Sequence, residues 1–268
     1  MDDPDLKLVI GILAVVVLGA FGWYFRDAFL PEPEPEPAVE QPVAAEPEVE
    51  PGPKHPLPAP ADAPQGELVE LPALDDSDAY FLLEVANNFH PAFEALLVRE
   101  AVIDRLVATV DNLTRGKIAD NIRPVTPLPD VFDFDYGDGE TLILGPSSYG
   151  RYDAIVAQIY YLDQDAVFDT YRRFYPLFQQ AYERLGYPNA YFNDRLVEVV
   201  DHLLAAPVPA GPIVLVRPNV LYQFADPDLE ALSSGQKLML RMGPANAATM
   251  KRVLEKFRAR LTEALPAS

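Results

Sequence analysis

The stretch YRRFYPLFQQAYERLGYPNAYFNDRLVEVVDHLLAAP, residues 171–207, decides the fold class of this chain. Its apolar side chains recur at spacings of three and four residues, which is typical of amphipathic helices that pack against a core. The pattern predicts a helix over residues 166–185, ended by Gly186, and a second helix over residues 193–205. Pro176 lies inside the first helix, and because proline lacks an N–H we expect a kink or a break there.

Helical periodicity continues on both sides of that stretch. Further helices are predicted over residues 77–89, 99–113, 149–162 and 226–242, and a last one follows Gly243-Pro244 with Met250, Val253, Leu254, Phe257 and Leu261 facing inward. Residues 131–144, VFDFDYGDGETLIL, alternate apolar side chains around a turn and predict a β-hairpin. Residues 213–216 and 220–224 are strand candidates that can join the hairpin in one small sheet. The expected fold class is mainly α with minor β.

An uncharged run, LVIGILAVVVLGAFGWYF, occupies residues 8–25 between Lys7 and Arg26. As a helix it would span about 27 Å, which matches the hydrocarbon thickness of a bilayer. A cleaved signal peptide is the alternative, but the run is long for a signal core and ends in bulky aromatic residues. We predict an uncleaved, single-pass helix in the lipid bilayer, with residues 1–7 in the cytoplasm and the domain on the other side of the membrane.

Residues 26–70 are rich in proline and glutamate, with PEPEPEP at residues 31–37. Dense proline favours polyproline II, glutamates repel one another, and few apolar residues remain to drive folding. We predict a disordered stalk, whose stretch 31–66 would reach roughly 110 Å at about 3.1 Å per residue. The stalk either lets the domain search for a partner or serves as a passive spacer.

The net charge of −20 comes mainly from this stalk, because residues 27–78 hold 14 acidic residues and one lysine. Residues 79–268 hold 24 acidic and 18 basic residues. The globular domain, predicted over residues 71–268, therefore has no dominant basic stripe, and nucleic acid is not an expected partner. The absence of cysteine excludes disulfides, thiolate metal sites and cysteine nucleophiles. No metal and no cofactor are predicted.

Several stretches of the domain resemble a known family. They are LPALDDSDAY (71–80), TVDNLTRGK (109–117), YGRYD (149–153), the stretch 171–207 and LVRPNVLYQFADPDLEALSSGQKLMLRMGP (215–244). They are similar to Domain of Unknown Function 3014, a proteobacterial family, and the likeness covers residues 71–262. The resemblance implies a membrane segment and a proline-rich linker ahead of the domain, and therefore a bacterial inner membrane as the location, with the domain in the periplasm. Because the family has no assigned activity, it implies no catalytic residue.

One candidate site lies on the helix predicted over residues 193–205. Asp194, Glu198 and His202 are spaced by four residues and share one helix face, and Asp201 lies beside them. Carboxylates and a histidine on one face can bind a metal or transfer protons. The face has no HExxH arrangement and no second histidine at ligand spacing, so a solvated or hydrogen-bonded helix face is the alternative.

A second candidate is a ligand or partner surface rich in tyrosine, arginine and asparagine. The residues predicted to form this surface are Tyr149, Tyr152, Arg172, Tyr175, Tyr191 and Asn193. Aromatic faces with polar tips are typical of peptide or glycan grooves and of binding hot spots. The same helical spacing also fits core packing, with the hydroxyl groups hydrogen-bonded at the boundary.

Two further motifs have plainer interpretations. Ser147 and Ser148 in GPSSYG lack the spacing of a phosphate loop or a GxSxG elbow, so we expect a helix cap. Basic residues from Lys251 to Arg260 can meet anionic lipid, but the interspersed Glu255 favours a charged solvent face.

The sequence leaves three functions open. The first is an inner-membrane-anchored envelope protein whose domain is a binding or scaffold module for an envelope protein or the cell wall. The second is a cell-wall hydrolase that uses Glu198 with Asp194 or Asp201 as its carboxylates. The third is a structural subunit of a membrane assembly. We favour the first and leave catalysis undecided.

Overall fold

The computed structural model of the protein describes residues 52–57, 71–88, 97–117, 122–125, 133–218 and 222–263. The predicted membrane helix at residues 8–25 and most of the predicted stalk lie outside these ranges. Within the ranges, no helix combines the length and the apolar character that a membrane crossing requires.

The described part of the chain is mainly helical. The helices are α1 (Asp78–Asn88), α2 (Val102–Asn112), α3 (Pro146–Tyr149), α4 (Asp153–Tyr160), α5 (Gln164–Arg184), α6 (Phe192–Leu204), α7 (Pro227–Glu230), α8 (Ser234–Arg241) and α9 (Gly243–Leu261). Helix α9 packs on α4, α5 and α6, and α2 packs on α5 and α6. The longest helices therefore share one core.

Four short strands form an antiparallel sheet in the order β1-β2-β3-β4. They are β1 (Asp135–Tyr136), β2 (Leu142–Leu144), β3 (Ile213–Val216) and β4 (Gln223–Phe224). The predicted hairpin is β1 with β2, and Ile143 of β2 pairs with Val214 of β3. Both strand predictions and their union in one sheet are confirmed, as is the fold class of mainly α with minor β.

Two apolar clusters hold these elements together. The larger one lies among the helices, and its fully buried aromatic residues include Tyr171, Phe174, Phe178, Phe192 and Phe257. Stacking of Phe178 on Phe192, with ring centroids 5.8 Å apart, joins α5 to α6. The smaller cluster consists of Leu144, Ile213, Leu215, Phe224 and Leu240, and it joins the sheet to α8. The inward side chains predicted for α9 are all buried.

Helix α5 is the helix predicted over residues 166–185, and Pro176 does not break it. The helix continues from Gln164 to Arg184 with the exposed Pro176 inside. Phe174 before the proline and Leu177 after it are buried in the main core. Tertiary packing on both sides of Pro176 therefore outweighs the loss of one backbone hydrogen bond.

Two other predicted helices are divided in the structure. The helix predicted over residues 226–242 becomes α7 and α8, because the Ser233 side chain accepts a hydrogen bond from Gln236 N and starts a new helix. The helix predicted over residues 149–162 becomes α3, a tight turn at Gly150–Tyr152, and α4. Both corrections concern boundaries, and the helical character of these stretches stands.

Candidate functional site

The start of α6 is fixed by a side chain of α5. Gln179 Oε1 accepts hydrogen bonds from the backbone N–H of Phe192 at 2.8 Å and from the hydroxyl of Tyr175 at 3.1 Å. Its Nε2 atom donates to the carbonyl of Ala190 at 2.8 Å. The side-chain amide of Gln179 thus bonds both the turn before α6 and the first residue of α6. It thereby helps to position the next two residues, Asn193 and Asp194.

The first of these, Asn193, is buried and connects three parts of the chain. Its Oδ1 atom accepts a hydrogen bond from the Tyr171 hydroxyl at 3.1 Å. Its Nδ2 atom donates to the carbonyl of His55 at 2.7 Å and to the carbonyl of Leu261 at 3.3 Å. Leu261 ends α9, so Asn193 also satisfies one of the carbonyls that a helix end leaves without an intrahelical partner.

The second residue, Asp194, binds the backbone of a distant segment. Its Oδ2 atom accepts from Lys54 N at 2.9 Å, and its Oδ1 atom accepts from His55 N at 2.8 Å. The chain bends at these two residues, which turns consecutive N–H groups toward one anionic group. We call the side chains of Asn193 and Asp194, with the backbone of Lys54 and His55, the linker contact.

Residues 52–57, the docked segment, lie against the domain with alternating burial. Pro53, His55 and Leu57 are half-buried, whereas Gly52, Lys54 and Pro56 are exposed. Leu57 packs against the main helical core. The predicted stalk over residues 26–70 therefore includes a stretch with a defined place on the domain, because Asn193 and Asp194 bond two of its N–H groups and one of its carbonyls.

Two of the predicted surface residues border the linker contact. Burial raises the pKa of Tyr175 to about 12, and the nearby negative charge of Asp194 acts in the same direction. Tyr191 is the residue before α6 and is exposed. The structure thus brings together Tyr175, Tyr191 and Asn193 of the predicted partner surface at the turn between α5 and α6.

The other three predicted surface residues lie elsewhere. Tyr149 donates its hydroxyl to the carbonyl of Leu144 at 2.7 Å, beside the sheet, and Tyr152 is fully buried. The guanidinium carbon of Arg172 lies 5.7 Å from the centroid of the Phe168 ring, and this side chain is only 12% exposed, so it is part of the packing of α5. The six residues therefore do not form one continuous surface.

The carboxylate and histidine face of α6 does not converge on one point. Glu198 is exposed and lies 3.3 Å from Arg195, and Asp201 forms an ion pair with Arg258. His202 Nε2 lies 2.7 Å from Ser233 Oγ, and burial lowers the pKa of this histidine. Asp194 instead accepts the two backbone hydrogen bonds of the linker contact. Among the described residues, no group of three or more acidic or histidine side chains is placed to hold a metal ion.

A pocket of about 120 Å³ lies between the sheet and the start of α9. It is lined by Tyr149, Pro207, Val208, Pro209, Gly211, Ile213, Met239, Leu240, Gly243, Pro244 and Ala247. Gly243 has a φ of +80° and packs closely on the Tyr149 ring. A Cβ added at Gly243 would lie 2.5 Å from Cγ of Tyr149. The lining contains none of the acid or histidine candidates, so the pocket offers apolar contact and no acid-base pair.

A polar network around a buried aspartate was not predicted. Asp111 of α2, whose side chain is 5% exposed, accepts from Arg195 Nε at 2.8 Å and from Arg115 Nη2 at 2.7 Å. Arg195 Nη2 also donates to the carbonyl of Asp111 and to Thr114 Oγ1. The signal in the sequence is an aspartate on the otherwise apolar face of α2, and burial of that face requires a charged partner.

The profile of the family described as "Protein of unknown function (DUF3014)" matches residues 102–258. The matched range begins with α2, contains Asp111, Asn193 and Asp194, and does not contain the docked segment. No curated protein and no solved structure matches the chain. Because the matched range covers more than half of the sequence, the chain belongs to the DUF3014 family.

Proposed function

We propose that this chain is an inner-membrane-anchored envelope protein whose periplasmic domain acts as a binding or scaffold module. The docked segment is the observation that supports the proposal. Asp194 and Asn193 bind two N–H groups and one carbonyl of that segment. A surface that bonds a backbone in this way can hold a polypeptide while leaving specificity to a few side chains. The uncharged run at residues 8–25 supports the membrane location.

The cell-wall hydrolase has less support from the geometry. A glycosidase needs two carboxyl groups that face each other across the scissile bond. Glu198 and Asp201 instead pair with different arginines, and the apolar pocket near Tyr149 contains neither. A structural subunit would use a protein-binding surface as well, so it is a special case of the scaffold proposal.

A crosslinking pull-down of the full-length, membrane-anchored protein tests the module. We compare the native chain with Asp194→Ala, which removes the acceptor of the linker contact, and with Glu198→Gln as a matched control on the same helix. The expected result is an envelope protein or cell-wall fragment that the native chain and the control capture and that Asp194→Ala captures several-fold less. Equal capture by all three chains, or no capture, contradicts the proposal.

A further inference from the structure

The linker contact defines the chemistry of a ligand. Asp194 binds the N–H groups of two consecutive residues, Lys54 and His55. The residues on either side, Pro53 and Pro56, have no N–H to offer. Every backbone donor between Gly52 and Leu57 is therefore bonded to one carboxylate.

We infer that the linker contact is a recognition site for a Pro-x-x-Pro segment of a partner protein, and that the docked segment occupies it as an internal competitor. The inference rests on the proposed function and names its partner class. Proline on both sides restricts the backbone before binding, so less conformational entropy is lost when the bend forms. The two central residues need free N–H groups, since both Asp194 oxygens accept from them.

Burial indicates where the site can discriminate between segments. Lys54 is exposed, so the first central position accepts many side chains. His55 and Leu57 are half-buried, and Leu57 contacts the main core. We therefore expect selection at the second central position and at the apolar residue that follows the second proline.

The strength of the internal contact is compatible with displacement. It consists of three hydrogen bonds and one apolar side chain on the core. A net hydrogen bond contributes about 1 kcal/mol and more when one partner is charged, so the whole contact is worth only a few kcal/mol. A partner segment that makes the same bonds and additional contacts outside them can replace the docked segment, although competition lowers its apparent affinity.

A peptide-binding measurement tests this inference with the full chain in detergent. Lys54→Pro with His55→Pro removes both internal N–H donors and frees the site. A fluorescent peptide with the sequence of residues 50–58, EPGPKHPLP, is then titrated and followed by anisotropy. We expect binding to the double variant, weaker binding to the native chain, and at least about tenfold weaker binding when Asp194→Asn is added, because hydrogen bonds to a charged group are lost.

The matched control is the same peptide with methyl groups on the backbone nitrogens of its central lysine and histidine. It keeps every side chain and loses both donors, so we expect its affinity to fall by at least about tenfold. Equal binding of the two peptides, equal binding to the Asp194→Asn chain, or no binding to a double variant with native unfolding behaviour overturns the inference. In those cases, capture of a partner that still depends on Asp194 would show that the module exists and recognises a different class of segment.

Discussion

Asp111 carries a negative charge inside the junction of α2 and α6. Its carboxylate is 5% exposed and is shared by Arg195, which is 20% exposed, and Arg115, which is 52% exposed. A buried charge is tolerated only when it is paired and hydrogen-bonded, so these arginines are required by the position of the aspartate. The network fixes the end of α2 against the start of α6, the helix that carries the linker contact.

Removal of this carboxylate should destabilise the protein strongly. We expect Asp111→Ala to lower the free energy of unfolding by about 3 kcal/mol, because the partly buried Arg195 loses its buried carboxylate and keeps only the exposed Glu198 as a charged partner. Urea denaturation followed by circular dichroism measures the change. Asp169→Ala is the control: Asp169 is 65% exposed and 3.8 Å from Arg172, and its loss should cost less than about 1 kcal/mol. Equal effects of the two changes would refute the structural role of Asp111.

Tyr175 links the stability of the protein to alkaline pH. Burial raises its pKa from 10.0 to about 12, so the folded protein favours the neutral phenol more than the unfolded chain does. This contribution is complete below pH 10 and is lost as the pH rises toward 12. We expect the native chain to lose stability more steeply over this window than Tyr175→Phe, which lacks the titrating group. Parallel urea titrations at several pH values check this, and identical slopes for the two chains would contradict it.

At the scale of elements, Gly235 allows α8 to approach the end of α2. Its backbone N–H donates to the Leu113 carbonyl at 2.9 Å, and Ser234 N donates to the Arg115 carbonyl at 2.8 Å. These bonds satisfy carbonyls that follow the last residue of α2. A Cβ at Gly235 would lie 2.8 Å from the Leu113 oxygen and 2.6 Å from Leu203 Cδ2. The two helices can therefore be this close only with glycine at this position.

We expect Gly235→Ala to lower the free energy of unfolding by about 1–3 kcal/mol, because overpacking forces α8 away from α2. Thermal unfolding measures the effect. Gly150→Ala provides the comparison, since the nearest atom to its added Cβ is Asp153 Oδ2 at 3.9 Å. If both alanines are tolerated equally well, the close approach of α8 and α2 is not what requires glycine.

The helices and strands were predictable where a local pattern decides them. The inward stripe of α9 and the alternation around the β1–β2 turn follow directly from the spacing of apolar residues. The sequence left open whether α5 is kinked or broken at Pro176, because the outcome depends on burial of Phe174 and Leu177 by other elements. Likewise, the separation of α7 from α8 depends on Ser233 acting as the N-cap of α8, and several nearby polar residues could have had that role.

At the scale of the whole molecule, the linker contact brings together residues that are far apart in sequence. Asn193 and Asp194 were both selected from the sequence, one for a partner surface and one for a carboxylate face. Their shared partner, the docked segment, precedes them by about 140 residues, and no local pattern shows such a contact. Asp111 and Arg195 were missed for the same reason, since the ion pair joins two helices that are separate in sequence.

Limited proteolysis reports on this contact in the intact chain. Lys54 is the single lysine or arginine between Asp27 and Asp78, and both it and His55 have their N–H groups bonded to Asp194. Trypsin can cut after Lys54 only when the segment leaves the domain. We expect Asp194→Ala to raise the rate of this cleavage several-fold, measured by mass spectrometry of the fragment that ends at Lys54. Glu198→Gln should leave the rate unchanged, and an unchanged rate in Asp194→Ala would mean that the contact does not protect the bond.

The attachment of residues 52–57 also determines where tension enters the protein. A force applied to the chain on the side of residue 51 is transmitted first to the domain through the linker contact. It acts on α6 through Asp194 and on the end of α9 through Asn193, before it acts on Leu71. The three hydrogen bonds of the linker contact should break at a lower force than the packing between the helices, since those helices share a continuous buried core. Stretching from that side would therefore release residues 52–57 before the load reaches the buried core of the helices.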